Sequence, residues 1–84
     1  MVRVNEMAMG FVLINTAPGK EADVYRALKN VSEIKNLYPV FGDYDIVAIA
    51  EAKDAETLGR VIVSKIRSVP GITDTKTLTT GVEF

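Results

Sequence analysis

The sequence predicts an α+β domain of ferredoxin-like architecture, in which a four-stranded antiparallel sheet carries two helices on one face. Strand and helix patterns alternate in the order β-α-β-β-α-β along only 84 residues, which is the split βαβ arrangement. Right-handed crossovers then place both helices on the same face of the sheet. Two of the strands are also apolar at almost every position, as expected for strands that are covered on both faces.

The first strand and helix lie in the N-terminal third of the chain. Residues 8–15, "AMGFVLIN", form a short apolar run with the length and composition of a buried strand. Thr16 is predicted to cap the following helix, Pro18 suits its first turn, and the helix is expected to end near Asn30. Its apolar face has helical spacing and consists of Val24, Ala27, Leu28 and Val31.

The second and third strands are predicted on either side of a turn. Residues 33–40 alternate at first, and Pro39 indicates an edge or a strand end because it cannot donate a ladder hydrogen bond. Residues 41–43 form the turn, and residues 44–52 form a second strand that is apolar on both faces.

The last helix and strand complete the order. Asp54 is predicted to cap a helix that ends before the Pro70-Gly71 pair. Its inward face is expected to contain Leu58, Val61, Ile62 and Ile66. Residues 72–80 then alternate threonines on one face with other residues on the opposite face. The threonine row is either a solvated strand face or the lining of a polar cleft.

Composition limits what such a small domain can do. The chain has neither Cys nor His, which removes disulfides, thiolate metal sites and the commonest general base. A net charge of −1 does not predict binding to nucleic acid or to anionic membranes, both of which attract basic surfaces. Nothing in the chain would cover the second face of the sheet, so we expect the domain to dimerise through it. The absence of an export signal predicts a cytoplasmic location.

Asp43 and Asp45 are the best candidates for chemistry. At positions i and i+2 of an extended segment they point to the same side, where they would act as an acid/base pair or as half of a cation site. Alternatively, they are turn residues whose carboxylates accept backbone N–H bonds. With no third acid nearby, we expect no metal, no cofactor and no catalysis.

Three motifs in order then suggest a family. These are "GFVLINTAPGKE" at 10–21, "VFGDYDIV" at 40–47 and "IRSVPGITDTKT" at 66–77. Together they resemble the effector-binding domain of the leucine-responsive regulator/AsnC (Lrp/AsnC) family, also called the RAM domain, over residues 9 to about 80. The resemblance implies an amino-acid-sensing regulatory module whose dimers assemble into octamers or decamers. It also implies that the effector, usually an amino acid, lies at an interface between dimers.

The resemblance also implies the residues of the site. The loop would contribute Gly42, Asp43, Tyr44 and Asp45. The preceding strand end would contribute Tyr38, Pro39 and Val40, and the last strand would contribute Thr75 and Thr77. Gly42 would allow close backbone approach, and either acid could meet an α-ammonium group.

The chain departs from the family in one respect. Full-length regulators carry a helix-turn-helix domain before this region, whereas about seven residues precede the first strand here. We therefore expect a flexible tail over 1–7, a RAM-like domain over 8–84 and no direct DNA binding. The domain would sense an amino acid alone or co-assemble with a full-length regulator, and a fragment of a longer regulator would have the same sequence. The alternatives are a ligand-free oligomerisation partner and, less favoured, a cofactor-free dimeric α+β-barrel enzyme.

Overall fold

The computed structural model describes residues 7–80, so nearly all of the predicted tail lies outside the described part. The elements follow the predicted order. They are strand β1 (Ala8–Thr16), helix α1 (Glu21–Lys29), strands β2 (Ile34–Pro39) and β3 (Ile46–Ala52), helix α2 (Ala55–Val61), a π-helical turn (Ile62–Ile66) and strand β4 (Ile72–Thr79).

The four strands form one antiparallel sheet in the order β2-β3-β1-β4. In the register of β1, Ile14 lies opposite Ile46 of β3 on one side and opposite Thr75 of β4 on the other. The pairings of β1 with β3 and β4, together with the pairing of β3 with β2, place β1 and β3 in the centre and leave β2 and β4 as edges. This topology confirms the predicted ferredoxin-like fold.

The core lies between the sheet and the helices. Alternate residues of β1 and β3 are buried there, while α1 contributes Val24 and Leu28. All four residues of the predicted inward face of the second helix are buried as well. Gly10 lets this helix approach closely, because a Cβ at that position would lie 3.3 Å from Leu58 Cδ2.

The start of α1 differs from the prediction. The cap position is Lys20, which makes no side-chain capping bond, and Thr16 is instead the last, buried residue of β1. The reason is long-range, since the N–H and hydroxyl of Thr16 both donate to the carboxylate of Asp45. Asp54 does cap α2 as predicted, accepting the Thr57 N–H at 2.7 Å.

The π-helical turn that continues α2 was not expected from the sequence. In it the Arg67 N–H donates to Ile62 O, five residues back, at 2.8 Å. A π turn inserts one residue into the helical repeat, so the side chains that follow it are rotated relative to a regular α-helix. The turn thereby changes the direction of the helix end that leads into Pro70 and Gly71.

The other face of the sheet is apolar and only half-buried. It contains Phe11 and Leu13 of β1 opposite Ile49 and Val47 of β3, with the half-exposed Leu78 beside Phe11 on β4. No element in the described part of the chain covers this face. Among residues 7–80, no helix has the length and apolar character needed to cross a membrane.

Candidate functional site

The β2–β3 loop is a tight turn anchored at both ends. The Val40 N–H donates to Asp45 O at 2.9 Å, and the Asp45 N–H donates to Ile14 O at 2.9 Å. Between these anchors, Gly42 has a φ of +107°, a conformation that favours glycine. Phe41 and Asp43 are exposed at the tip, and Phe41 contacts almost nothing within the protomer. The loop therefore presents its tip to solvent on a rigid base.

The two acids of this loop have different surroundings. Asp45 is half-buried, and its Oδ2 accepts the Thr16 N–H at 2.9 Å and the Thr16 hydroxyl at 3.2 Å. Asp43 is exposed and makes no side-chain hydrogen bond with the described residues. The carboxylate of Asp45 thus holds the loop to the end of β1. The carboxylate of Asp43 is accessible to solvent.

The predicted residues of β4 lie on the opposite edge of the sheet from β2, the strand that leads into the loop. Thr75 pairs with Ile14 and Thr77 with Val12, so both threonines face the side that carries the helices. In the same row, Ile14 pairs with Ile46, which pairs with Pro39 of β2. Three strand spacings separate Pro39 from Thr75, a distance of about 14 Å. Pro39 and the two threonines are therefore not in contact within one protomer, whereas Asp45, at the other end of the loop, is hydrogen-bonded to β1, the strand next to β4.

Tyr38 is placed differently from its neighbours. It pairs with Val47, on the open face of the sheet, and is 48% exposed. Pro39 lies on the helix side, opposite Ile46. The predicted strand end thus contributes to both faces of the sheet, with Val40 and Tyr44 half-buried at the base of the loop.

Two concave surfaces lie at the end of the sheet where β1 ends and β4 begins. A mostly apolar groove of about 350 Å³ runs between the start of α1 and the base of the loop. It is lined by Glu21, Ala22, Tyr25, Arg26, Pro39, Asp45 and Ile46. A polar notch of about 190 Å³ lies at the start of β4. It is lined by Arg67, Ile72, Thr73, Asp74 and Thr75.

The notch contains residues that the sequence prediction did not include. Arg67 and Asp74 flank the Pro70-Gly71 turn in the chain and border the notch together with the predicted residue Thr75. Opposite charges on either side of a Pro-Gly turn were the available signal. No group of three or more potential metal ligands occurs within residues 7–80.

Comparison with known proteins places this geometry in a family. A family model described as the Lrp/AsnC ligand binding domain matches residues 9–80. The chain belongs to this family. The Lrp/AsnC domain is a regulatory ligand-binding domain and not an enzyme, in agreement with the sequence prediction.

The relatives of this Lrp/AsnC domain include longer transcriptional regulators and a protein of known structure that has about the same length as this chain. The HTH-type transcriptional regulator FL11 of Pyrococcus abyssi is 36% identical over 80 residues, covering 89% of this chain and 52% of that protein. The chain thus spans about half the length of the curated relatives it matches. The crystal structure of hypothetical protein PHS023 from Pyrococcus horikoshii has 36% identity and a TM-score of 0.82, covering 90% of this chain and 92% of that one.

A more distant structure shares the fold alone. The transcriptional regulator NMB0573 of Neisseria meningitidis, solved as a complex with L-Met, has 15% identity and a TM-score of 0.77. The match covers 90% of this chain and 51% of the regulator.

Proposed function

We propose that this chain is an amino-acid-sensing, oligomer-forming regulatory domain, whose ligand modulates its assembly and through it transcription or amino-acid metabolism. The observation that carries the proposal is the match of the Lrp/AsnC ligand binding domain to residues 9–80. The L-Met complex of a regulator with the same fold supports an amino acid as the class of ligand. The cytoplasmic location stays a prediction from the sequence.

The open face of the sheet supports a dimer as the basic unit. Phe11, Leu13, Val47 and Ile49 form two apolar rows that stay half-buried in one protomer. Packing against the same face of a second copy would bury these rows at the usual spacing of about 10 Å between two sheets. Because both copies would use the same surface, the contact is isologous and closes as a dimer.

The separation of the predicted site residues supports a ligand site shared between chains. The strand that leads into the loop with Gly42 and Asp43 lies on the opposite edge of the sheet from Thr75 and Thr77. This separation favours a site in which a molecule as small as an amino acid contacts the loop tip of one protomer and the threonines of another. We propose that dimers meet in this way in an octamer or decamer, with Tyr38, Pro39, Val40 and Tyr44 close to the bound effector.

The structure also favours different functions for the two acids. Asp45 would position the loop, since its carboxylate already accepts two hydrogen bonds from Thr16. Asp43 would meet the α-ammonium group of the effector, since its carboxylate is exposed and makes no hydrogen bond with the described residues.

A thermal-shift screen with the twenty amino acids tests the sensing proposal. A ligand at one hundred times its Kd stabilises the folded state by about 2.7 kcal/mol, which is measurable for a domain of this size. We expect one or a few amino acids at millimolar concentration to raise the Tm. If none does so while the protein is a folded oligomer, the chain is a ligand-free oligomerisation partner and the sensing proposal is wrong.

Paired variants test the site and the dimer. Asp43→Asn should weaken ligand binding without changing the Tm of the free protein. Glu56→Gln, an equivalent change on exposed α2, should leave ligand binding unchanged. Ile49→Lys should dissociate the dimer in native mass spectrometry. Its control, Val63→Lys, changes a residue that is 59% exposed on the helix surface. A dimer that survives Ile49→Lys would contradict packing through the open face.

Association with a larger regulator is the second part of the proposal. Because the curated relatives are about twice as long and are HTH-type regulators, a mixed oligomer with such a protein would link ligand binding to DNA. Co-expression of the chain with a tagged full-length relative from the same genome, followed by native mass spectrometry, should show mixed oligomers. Only separate homo-oligomers would contradict co-assembly.

A further inference from the structure

The outer edge of β4 carries backbone groups that no described strand pairs with. The Thr80 N–H donates to Met9 O, so the hydrogen-bonded pairs of β1 and β4 fall on every second residue from there. The residues between those pairs direct their N–H and C=O groups away from β1, and they are Thr75, Thr77 and Thr79. Because β4 is an edge strand, these groups are available to another strand.

The other edge strand is protected against such pairing. β2 has six residues, ends at Pro39 and has an irregular register between Ile34 and Asn36. Short strands, bulges and prolines are features with which proteins block the edges of their sheets. β4 instead has eight residues, contains no proline and keeps a regular register with β1 from Asp74 to Thr79. Of the two edges in the described part of the chain, that of β4 is therefore the one open to a further strand.

The charges beside this edge are self-complementary in one antiparallel register. Asp74 and Lys76 pair with Asn15 and Leu13 of β1, so both exposed side chains lie on the open-face side. In the described part of the chain neither forms an ion pair. If Thr75 lies opposite Thr75 of a second copy, Asp74 of each copy lies opposite Lys76 of the other. These are non-hydrogen-bonded pairs, in which the side chains approach most closely.

The neighbouring registers bring like charges together. One of them places Asp74 opposite Asp74 of the second copy, and the other places Lys76 opposite Lys76. Like charges directly opposite each other in a sheet are destabilising, whereas opposite charges are stabilising. On the helix side, each of these registers places threonine opposite threonine, which is also favourable. The charges of Asp74 and Lys76 therefore decide the register.

We propose that the edge of β4 pairs antiparallel with β4 of a second copy, centred on Thr75, and joins two four-stranded sheets into one. Both copies use the same surface, so the contact is isologous. It uses the backbone of the threonines and not their hydroxyls, and it forms without a ligand. A dimer formed through the open face carries two such edges, so it joins two neighbouring dimers, as a closed ring of dimers requires.

Two charge reversals and their mixture test the register. Asp74→Lys places like charges opposite each other in the paired edge, and so does Lys76→Asp. In native mass spectrometry of the full chain without ligand, each variant alone should need about a 10- to 100-fold higher concentration than the unaltered protein to form species larger than the dimer. An equimolar mixture of the two variants brings opposite charges together again and should restore the larger species.

A proline tests the backbone hydrogen bonds of the same contact. The Thr75 N–H points away from β1, so Thr75→Pro removes it without removing a hydrogen bond within the protomer. This variant should keep its fold in circular dichroism and elute as a dimer, with no larger species. Thr75→Val keeps the N–H and should assemble like the unaltered protein. Larger species that persist in Thr75→Pro would contradict pairing through the backbone.

The outcomes distinguish this edge contact from the dimer through the open face. Single charge variants that assemble like the unaltered protein, or a mixture that gives nothing larger than dimers, would overturn the pairing of β4. The pairing is also wrong if the unaltered protein forms only dimers that Ile49→Lys dissociates. Dimers that survive Ile49→Lys but dissociate with Asp74→Lys would support the edge contact and contradict the open-face dimer.

Discussion

Replacing Asp45 by alanine removes the interaction that holds the β2–β3 loop to the end of β1. The carboxylate accepts the Thr16 N–H at 2.9 Å and the Thr16 hydroxyl at 3.2 Å, and Thr16 is only 9% exposed. The N–H bond to a charged acceptor contributes about 1.5–3 kcal/mol and the longer hydroxyl bond about 0.5–1 kcal/mol. We therefore expect Asp45→Ala to lower the free energy of unfolding by about 2–4 kcal/mol.

Asp43 provides a matched control two residues away. It is exposed and makes no side-chain hydrogen bond with the described residues, so Asp43→Ala should change the free energy of unfolding by less than about 0.5 kcal/mol. Thr16→Val keeps the N–H bond and loses only the hydroxyl, which should cost about 0.5–1 kcal/mol. The three variants thus separate the contributions of the two hydrogen bonds.

Urea unfolding at one fixed protein concentration measures these differences, because the stability of an oligomer depends on concentration. Ligand titration on the same variants gives the second readout. Asp45→Ala should mainly lose stability and Asp43→Ala should mainly lose ligand affinity. Equal stability of the two variants, with ligand binding lost only in Asp45→Ala, would refute the assignment of Asp45 to positioning the loop.

Three further predictions concern particular residues. Gly71→Ala should lower the Tm by more than Gly19→Ala, since both have positive φ but only a Cβ at Gly71 would meet Val24 Cγ2, at 2.9 Å. Gly59→Ala should stabilise the protomer by about 0.5–1 kcal/mol in urea unfolding, because Gly59 is exposed within α2 and a Cβ there has open space; weaker assembly in the variant would instead indicate a contact between protomers at this position. A hydrogen bond from Lys65 lowers the pKa of Glu33 below its ordinary value. The stability contributed by the ionised Glu33 is therefore complete above the ordinary glutamate pKa of about 4.3, and it is lost as the pH falls through the lowered pKa of the folded state. The difference in Tm between the unaltered protein and Glu33→Gln should therefore be constant near neutral pH and shrink below about pH 4, and a difference that grows on acidification would contradict this ion pair.

The elements of the fold were predictable because their signals are local. Helical spacing identified the buried face of α2, and Asp54 preceded it as a cap, which the structure confirms with the bond to the Thr57 N–H. Thr16 was wrongly assigned as a cap because its actual partner, Asp45, lies 29 residues further along the chain. A local capping motif does not show whether the Thr16 side chain will cap the next helix or donate to a residue that is distant in the sequence.

The π-helical turn was unpredictable for a related reason. Val61, Ile62 and Ile66 are buried in the structure, yet their spacing agrees equally well with a continuous α-helix. The bond from the Arg67 N–H to Ile62 O, five residues back, distinguishes a π-helical turn from a continuous α-helix. The position of Arg67, and with it the polar notch, therefore depends on a detail that hydrophobic periodicity does not contain.

The candidate site depends on the arrangement of the strands more than on any motif. "FGDYD" and "TDTKT" are both near the same end of the sheet, but the order β2-β3-β1-β4 separates Pro39 from Thr75 by two intervening strands. If the proposed ligand contacts the two segments from different protomers, its binding free energy favours the assembled state by linkage. An effector recognised in this way needs no conformational change within the protomer to act as a signal. Ligand affinity should then increase with protein concentration until assembly is complete, whereas a site contained within one protomer would have the same affinity at every concentration.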